Sequence, residues 1–356
     1  MSGSGTYGLS RRTFLRSTTL AVAASGATVG VQQEGPKSSF TLPPAPLFRD
    51  PIYDGAADPT VVWNRQERAW WIVYTQRRAN VDAQEVAWVH GSDIGVASSS
   101  DSGQTWVYRG VLKELEFEWG RNTFWAPAVI WQGDRYHLYL AYIRGVPHDW
   151  SGERSIVHYT SKDLLGWHYE SSLSLTSNRV IDPCVHVLPN GLWRMWYKDE
   201  GHGSHIYWGD SNNLYGWQPG GAAITDRAQE GPIVFRWHGY YWMLTDPGTG
   251  LGVYRSEDAE TWRRQEDILS TPGRRPDDGA EGKHPDVVVQ EDDAYVFYFT
   301  HPQSKQQIKE SVPGVQPYAK RRTSLQVAKL EFANGKLVCD RDQPFHLGLR
   351  NPLGCG

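Results

Sequence analysis

Three acidic residues stand at the starts of strand-like segments in this chain of 356 residues. Asp58 and Asp182 each directly precede a proline, and Glu230 lies two residues before one. A single Asp-Pro pair often does no more than begin a strand, because Asp favours turns and Pro is tolerated at the first residue of a strand. Three acids at corresponding positions of a repeated pattern favour a common functional site instead.

The chemistry that such a group of acids can perform is hydrolysis of a glycosidic bond. That reaction needs one carboxylic acid to protonate the leaving oxygen and one carboxylate to activate water or to attack the sugar. A third acid can raise the pKa of the proton donor and orient it. Carboxylates that share one site repel one another unless a proton or a cation relieves them, and this repulsion shifts a pKa toward catalysis.

Five units of one pattern must position these acids. Each unit opens with a run that contains a proline, makes a short polar turn, and continues in an aromatic and β-branched segment. The opening prolines recur at intervals of roughly 50 to 70 residues, a period typical of four-stranded propeller blades. They are Pro59, Pro127, Pro183, Pro232 and Pro285. The sequence therefore predicts an all-β, five-bladed β-propeller over residues 49–350, with the first strand of each blade lining the central channel.

Four of the units close with a similar polar turn that ends in tryptophan. These turns occupy residues 98–106, 160–167, 209–217 and 255–262. The fifth unit is expected to close through residues 324–337. Helical alternatives are excluded because no long window repeats apolar residues at helical spacing, and 36 Gly and 21 Pro interrupt the chain. The polar stretches 270–282 and 302–322 are predicted to be loops over one face.

The first thirty residues have the features of a twin-arginine export signal. Arg11 and Arg12 are followed by a weakly apolar run and then by small residues, in the order that a signal peptide requires. We expect residues 1–30 to be this signal, residues 31–48 to be a Pro-rich lead-in, and the protein to be periplasmic or extracellular. No later stretch is long and apolar enough to span a bilayer.

Charge and cysteine content limit the possible partners. Lys and Arg number 36 and Asp and Glu 40, so the formal net charge is −4 and the chain lacks the basic surface expected of a nucleic-acid binder. Seventeen Trp and eighteen Tyr can fill a core or stack on sugar rings. The three cysteines form no disulfide framework, although Cys339 and Cys355 could pair. A carbohydrate is therefore the expected partner.

The order of these motifs resembles the family 43 glycoside hydrolases and their five-bladed relatives. The matching motifs are DP in the first blade, WAP in the second, IDP in the third, EGP followed by GYYWML in the fourth, and RRTSLQVAKL in the last. The resemblance spans essentially residues 50–340. By position it implies Asp58 as the general base, Asp182 as the residue that raises the pKa of the acid and orients it, and Glu230 as the general acid. It also implies inversion of the anomeric centre.

The resemblance further implies an ion in the channel, with no other cofactor. His284, in KHPDVVV, resembles a family histidine that lies beside a calcium or sodium ion, with water between the ring and the metal. The alternative is a hydrogen-bonded channel histidine with no metal nearby. In one respect the chain departs from the family. Ala128 follows WAP, where many relatives carry an acid, so that position supplies no carboxylate.

Sugar contacts are expected from polar and aromatic residues near the channel mouth. A long first-blade insertion, residues 77–97, is predicted to wall the pocket, and RNTFWAP places an amide and an indole beside it. The candidate contacts are Arg78, Trp88, His90, Asn122, Trp125 and Arg321. The aromatic candidates could equally pack between blades. The segment DEGHGSH at 199–205 matches no strong zinc pattern and is predicted to be a solvated loop at the pocket rim.

Three alternative functions remain open at this point. The related retaining fructosidases usually carry Asn, Arg and Cys where this chain has Ala57, Ile181 and Gly231. A non-catalytic carbohydrate-binding propeller would need only the pocket. A phosphorolytic enzyme would need a phosphate-holding basic cluster, which the sequence does not decide. Which sugar is cleaved is left open, and exo action is expected because the first-blade and last-blade insertions should close a pocket.

Overall fold

Short segments with alternating apolar residues form the strands of five sheets. A computed structural model of the protein describes residues 42–353. Within them, each sheet is antiparallel and contains four strands that are consecutive in sequence. The predicted all-β, five-bladed β-propeller is confirmed. None of the described helices has the length and apolar character needed to cross a membrane.

The blades follow one another around the ring in chain order. Blade 1 contains β1 (Ala56–Asn64), β2 (Ala69–Gln76), β3 (Asp93–Ser99) and β4 (Val107–Val111). Blade 2 contains β5 (Thr123–Gln132), β6 (Arg135–Ile143), β7 (Ser155–Ser161) and β8 (His168–Ser172). Blade 3 contains β9 (Val180–Val187), β10 (Trp193–Asp199), β11 (His205–Ser211) and β12 (Gln218–Ile224).

The last two blades and the short helices complete the described chain. Blade 4 contains β13 (Glu230–Trp237), β14 (Tyr240–Asp246), β15 (Leu251–Ser256) and β16 (Arg263–Ile268). Blade 5 contains β17 (Lys283–Gln290), β18 (Asp293–Thr300), β19 (Ser324–Ala333) and β20 (Lys336–Val338). The helices are a 3₁₀ turn (Glu200–His202) and α1 (Tyr318–Arg321).

The ring closes through contacts between the first strands of neighbouring blades. In order around the axis these strands are β1, β5, β9, β13 and β17, and β17 in turn contacts β1. At this last junction, Asp286 Oδ2 accepts a hydrogen bond of 2.6 Å from the backbone N–H of Val61. Phe48, at the end of the predicted lead-in, forms a β-bridge with Leu325 of blade 5. The chain before blade 1 therefore also ties the first and last blades together.

Face-to-face packing of the blades forms the core. In β2, Trp70 and Ile72 belong to the cluster shared with blade 5, whereas Trp71 and Val73 belong to the cluster shared with blade 2. Three further clusters fill the remaining blade interfaces in the same way. Because successive side chains of a strand point to opposite faces, one aromatic strand packs into two interfaces.

A repeated turn closes blades 1 to 4, as predicted. In blade 2, Ser161 Oγ accepts the backbone N–H of Leu164 at 2.9 Å, and Asp163 Oδ1 accepts the N–H of Leu165 at 2.8 Å. Corresponding serines accept backbone N–H groups in the other three blades; they are Ser99, Ser211 and Ser256. Short Ser, Asp and Asn side chains therefore recur here because they satisfy backbone donors inside a tight turn.

The connecting segments differ from the prediction at one boundary. Residues 93–97, predicted as insertion, belong to β3, so the segment available to wall the channel is 77–92. The stretch 270–282 connects β16 of blade 4 with β17 of blade 5, and the stretch 302–322 connects β18 with β19 within blade 5 and contains α1. Cys184 and Cys339 are free thiols. The predicted signal, most of the lead-in and Cys355 lie outside the described residues.

Two histidines are buried against each other in blade 2. His137 Nδ1 and His158 Nε2 lie 3.0 Å apart, and the rings stack at 5.2 Å between centroids. The ring of Tyr139 also stacks on His158, with the ring centroids 4.6 Å apart. Burial lowers the pKa of His137 to about 4 and that of His158 to about 3.

We predict that this pair contributes to acid unfolding. Both rings are neutral in the fold and become protonated in the unfolded chain below about pH 6.5, so stability is lost as pH falls from there toward 4 and 3. Each histidine should steepen the loss by up to about 1.4 kcal/mol per pH unit. The double variant His137→Phe with His158→Phe keeps the stacked rings and should flatten the fall of the unfolding free energy between pH 6 and 4.5. Equal slopes for the variant and the parent protein would contradict this.

Candidate active site

The first strand of every blade is bulged at the residue before its opening proline. Asp58, Ala126, Asp182, Gly231 and His284 all have positive φ, between 36° and 58°, and the strand register shifts at each. A residue before proline rarely adopts this conformation, and outside glycine it is strained. Such strain persists where the surrounding fold imposes it, commonly at functional sites. The bulge changes the direction in which these side chains, at the start of each strand, project from the sheet.

This register corrects the prediction that three acids occupy corresponding positions. Asp58, Asp182 and His284 do correspond, but the matching residue of blade 4 is Gly231, and Glu230 is one residue earlier. A β-carbon on Gly231 would lie 2.8 Å from Cγ of His284. The imidazole of blade 5 therefore occupies the space that a side chain of blade 4 would need.

The acids line a cavity of about 410 Å³. Its volume lies within the range of small-molecule sites in proteins. Every blade contributes to its wall. The lining residues are Asp58, Arg77, Val89, Trp125, Trp150, Arg179, Ile181, Asp182, Lys198, Glu200, Ser204, Glu230 and His284.

Asp58 is held by two cationic side chains. Arg77, which directly follows β2, donates from Nη2 to both carboxylate oxygens at 2.9 and 3.1 Å, and Nδ1 of His284 lies 3.4 Å from Oδ1. The Arg77 guanidinium also stacks on the ring of Phe299, 4.8 Å from its centroid. Burial opposes a charge on His284, but the surrounding carboxylates, Asp58 first among them, raise its pKa above the ordinary value. These contacts therefore fix the orientation of the Asp58 carboxylate, and only 4% of the surface of Asp58 is exposed.

Asp182 and Glu230 differ sharply in their proton affinity. Burial raises the pKa of Asp182 to about 7, and its Oδ2 accepts the backbone N–H of Gly231 at 3.1 Å. Glu230 is more open, with 41% of its side chain exposed. Burial alone would raise the pKa of Glu230, but the Lys198 ammonium, 2.8 Å from Oε2, holds it below the ordinary value. Asp182 therefore holds a proton more strongly than Glu230 does in the free site.

A fourth acid was missed by the sequence reasoning. Asp246, at the end of β14, pairs across the sheet with Glu230 and accepts the backbone N–H of His284 at 3.2 Å. Its only sequence signal is its position as the last residue of the aromatic strand of blade 4. Burial raises its pKa above the ordinary value. Asp246 holds the strained backbone of blade 5 rather than facing the cavity.

The donor set does not fit the predicted calcium or sodium ion. Both oxygens of Asp58 are already bound by Arg77, and His284 beside them carries a raised pKa. Across residues 42–353, no group of three or more His, Cys, Asp or Glu side chains is arranged to hold a metal. Arg77, Lys198 and His284 supply the positive charge that an ion would otherwise bring to these carboxylates.

Two tryptophans form an aromatic wall on one side of the cavity. Trp125, a predicted sugar contact, is almost fully buried on β5, and Trp150 comes from the loop between β6 and β7. Their ring centroids are 6.2 Å apart, and 54% of Trp150 is exposed. Trp150 escaped prediction because a single aromatic residue in a polar loop carries no periodic signal. Together the two rings offer surfaces for stacking on a sugar.

Three residues predicted to contact sugar support this wall from behind instead. His90 is fully buried, with its ring centroid 4.9 Å from that of Trp125. Arg78 donates to the carbonyl of His90 at 2.8 Å. Trp88 is buried with its edge toward His301, at 6.3 Å. The segment 77–92 folds back on itself, which turns these side chains inward.

The other two predicted contacts also have structural partners. Asn122 Oδ1 accepts the backbone N–H of Gly145 at 2.9 Å, which fixes the start of the loop that carries Trp150. Arg321 is buried in α1 and donates to the carbonyl of Val81 at 2.6 Å. Neither lines the cavity.

The segment 199–205 lies at the rim of the cavity, as predicted, but it is only partly exposed to solvent. Asp199 is fully buried and caps the 3₁₀ turn by accepting the N–H of Gly201 at 2.8 Å. Glu200 and Ser204 line the cavity. The segment is rich in polar residues, which is why its sequence predicts exposure to solvent. The groups that bind these polar side chains lie in other parts of the chain, so the local sequence does not reveal them.

The fold is shared with solved glycosidases. No protein-family model matches the chain, and no curated protein sequence matches it. A thermostable family-43 glycoside hydrolase superposes with a TM-score of 0.60 at 19% identity, over 82% of this chain and 96% of that one. A GH43_1 enzyme from Xanthomonas citri complexed with xylotriose gives 0.61 at 18%, over 88% and 97%. A GH43 β-1,3-galactosidase gives 0.58 at 10%, over 80% and 93%. The resemblance stated from the motifs is confirmed at the level of the five-bladed fold.

Gly231 offers a test of the packing at the centre. Gly231→Ala forces a β-carbon against the His284 ring and should cost on the order of 1–3 kcal/mol of unfolding free energy, as overpacking does. Gly239→Ala is the matched control, because Gly239 also has positive φ but nothing lies within 4 Å of its added β-carbon. Chemical denaturation of both variants decides the matter. Equal losses would mean that backbone strain alone, and not contact with His284, makes glycine necessary.

Proposed function

We propose that this protein is an inverting glycoside hydrolase that removes sugar units from the end of an oligo- or polysaccharide. The observation that carries the proposal is the convergence of Asp58, Asp182 and Glu230 on one cavity. Each is delivered by the start of a different inner strand, in a fold that solved glycosidases share.

Asp58 is proposed as the general base. Arg77 and His284 fix its carboxylate without covering the cavity. Each oxygen keeps a second lone pair beside the hydrogen bond from Arg77, so one of them can accept a proton from a water molecule. That water forms the new bond to the anomeric carbon from the side opposite the leaving oxygen. The proton taken from water then returns to solvent after each turnover.

Glu230 is proposed as the general acid. Its side chain is the most exposed of the three acids, which suits a group that must be reloaded with a proton from solvent. It protonates the leaving oxygen while the bond between that oxygen and the anomeric carbon breaks. Asp182, bound to the N–H of the residue after Glu230, fits a role in orienting the acid and adjusting its pKa.

The substrate class is proposed from the cavity. Trp125 and Trp150 can stack on a pyranose or furanose ring, and the charged groups can accept or donate hydrogen bonds to its hydroxyls. Among the similar structures, one is described as complexed with xylotriose and another as a β-1,3-galactosidase. Pentosyl and hexosyl units are therefore the first substrates to test. The insertion 77–92 beside the cavity supports exo action.

We also propose export by the twin-arginine route. Arg11 and Arg12 and the small residues that follow support it, and an extracytoplasmic location would suit a polysaccharide substrate.

Removing either reacting carboxyl should abolish hydrolysis. Asp58→Asn cannot accept a proton and Glu230→Gln cannot donate one, so each should lower kcat by roughly 10²-fold to 10⁴-fold, since general acid or base catalysis contributes that much. Asp134→Asn and Glu266→Gln are matched controls, because both acids are largely exposed and do not line the cavity. Release of reducing sugar from an oligosaccharide panel is the measurement. Near-normal rates with unchanged melting temperature would remove the proposed roles.

The stereochemical outcome is a separate test. Proton NMR of the reaction should show the inverted anomer first, because Asp58 acts on water rather than on the sugar. Release with retention would make Asp58 a nucleophile and favour a fructosidase-like mechanism. Tight binding without turnover across a broad panel would favour a carbohydrate-binding propeller.

A further inference from the structure

The ammonium group of Lys198 lies between two carboxylates. Nζ is 2.8 Å from Oε2 of Glu230 and 3.5 Å from Oε1 of Glu200. Lys198 is near the end of β10, where the pairing with β9 is irregular, and only 12% of its side chain is exposed. A buried lysine needs a counter-ion, and here two acids of the cavity wall compete for one ammonium.

Glu200 is held in place by two arginines. Its Oε2 lies 2.6 Å from Nη1 of Arg154 and 3.1 Å from Nη2 of Arg179, which leaves Oε1 for Lys198. The same arginines donate to the carbonyl of Trp150, at 2.7 and 3.1 Å. Glu200 is therefore a fixed counter-ion, connected to the loop that carries the aromatic wall.

We propose that Lys198 is a positioning residue that controls the protonation of Glu230, with Glu200 as its alternative partner. The proposal rests on the role of Glu230 proposed above. In the free site the ammonium sits on Glu230 and keeps it a carboxylate. When the ammonium turns toward Glu200, Glu230 loses its counter-charge, takes a proton from solvent, and can then donate it to the leaving oxygen.

Charged groups from all five blades face this lysine or its partners. They are Asp58 and Arg77 of blade 1, Arg154 of blade 2, Arg179, Asp182 and Glu200 of blade 3, Glu230 and Asp246 of blade 4, and Lys283 and His284 of blade 5. Among them, Glu230 and Glu200 are the acids that form ion pairs with Lys198 within 4 Å. The balance between these two pairs therefore decides how strongly Glu230 holds a proton.

Two substitutions should move Glu230 in opposite directions. Lys198→Met keeps the length of the side chain but removes the charge, so Glu230 should titrate at least about one pH unit higher, the shift typical of losing an adjacent opposite charge. Glu200→Gln removes the competing acid, so Lys198 should pair more fully with Glu230, which should then titrate lower. Lys198→Arg keeps the positive charge and should leave Glu230 titrating below its ordinary range.

The titration can be read without turnover. The full chain is labelled with ¹³C at the glutamate side-chain carboxyl, and the Glu230 signal is identified by its loss in Glu230→Gln. Titrating the labelled parent protein, the three variants and the exposed-site control Glu266→Gln gives the pH midpoint of Glu230 directly. Opposite shifts in Lys198→Met and Glu200→Gln support the proposal, because a loosened fold would move both the same way. An unchanged midpoint in folded Lys198→Met, or a shift in the same direction in both, overturns it.

The pH dependence of hydrolysis then separates the two proposals. If Glu230 is the acid, the alkaline limb of kcat should move to higher pH in Lys198→Met and to lower pH in Glu200→Gln, in step with the NMR midpoints. Opposite NMR shifts without any hydrolysis by the parent protein would uphold Lys198 as the group that controls Glu230 and reject the glycosidase. Hydrolysis whose alkaline limb stays fixed while the NMR midpoint moves would reject Glu230 as the acid.

Discussion

A strained backbone at the start of each inner strand is the constraint on which the centre of this protein depends. Five residues before five prolines adopt positive φ, although proline disfavours that conformation in the residue before it. The closed ring imposes the strain, because each inner strand is held between two others and cannot relax. The bulges that result from this strained conformation bring Asp58, Asp182 and His284 toward one axis.

Charge compensation follows from that geometry. Four acids near one axis would repel one another, and the positive charges of Arg77, Lys198 and His284 offset this repulsion. The cations are distributed unequally. Asp58 is bound through both oxygens, Glu230 through one, and Asp182 by a backbone N–H. Asp182 and Glu230 thereby acquire different proton affinities, because burial raises the pKa of Asp182 and the Lys198 ammonium lowers that of Glu230.

The cavity wall shows how supporting residues differ from contact residues. Arg78, His90 and Asn122 have the polar side chains expected of sugar contacts, yet each satisfies a partner inside the protein. These residues hold Trp125 and the loop that carries Trp150 at the edge of the cavity. The similar glycosidase structures share the fold at 10 to 19% identity.

The repeat alone determined the architecture, because an aromatic strand that alternates apolar faces can bury both only between neighbouring blades. The repeat also determined that the acids beside the opening prolines meet at the axis of the propeller, because the first strand of each blade lines that axis. Only the tertiary structure decided the register of Glu230 and the ion pairs of Lys198. It also decided that Glu200 and Trp150 line the cavity and that Asp246 lies behind it. Those outcomes depend on bulges and loop folding, and on side-chain partners that lie far apart in the chain, for which no local pattern of residues exists.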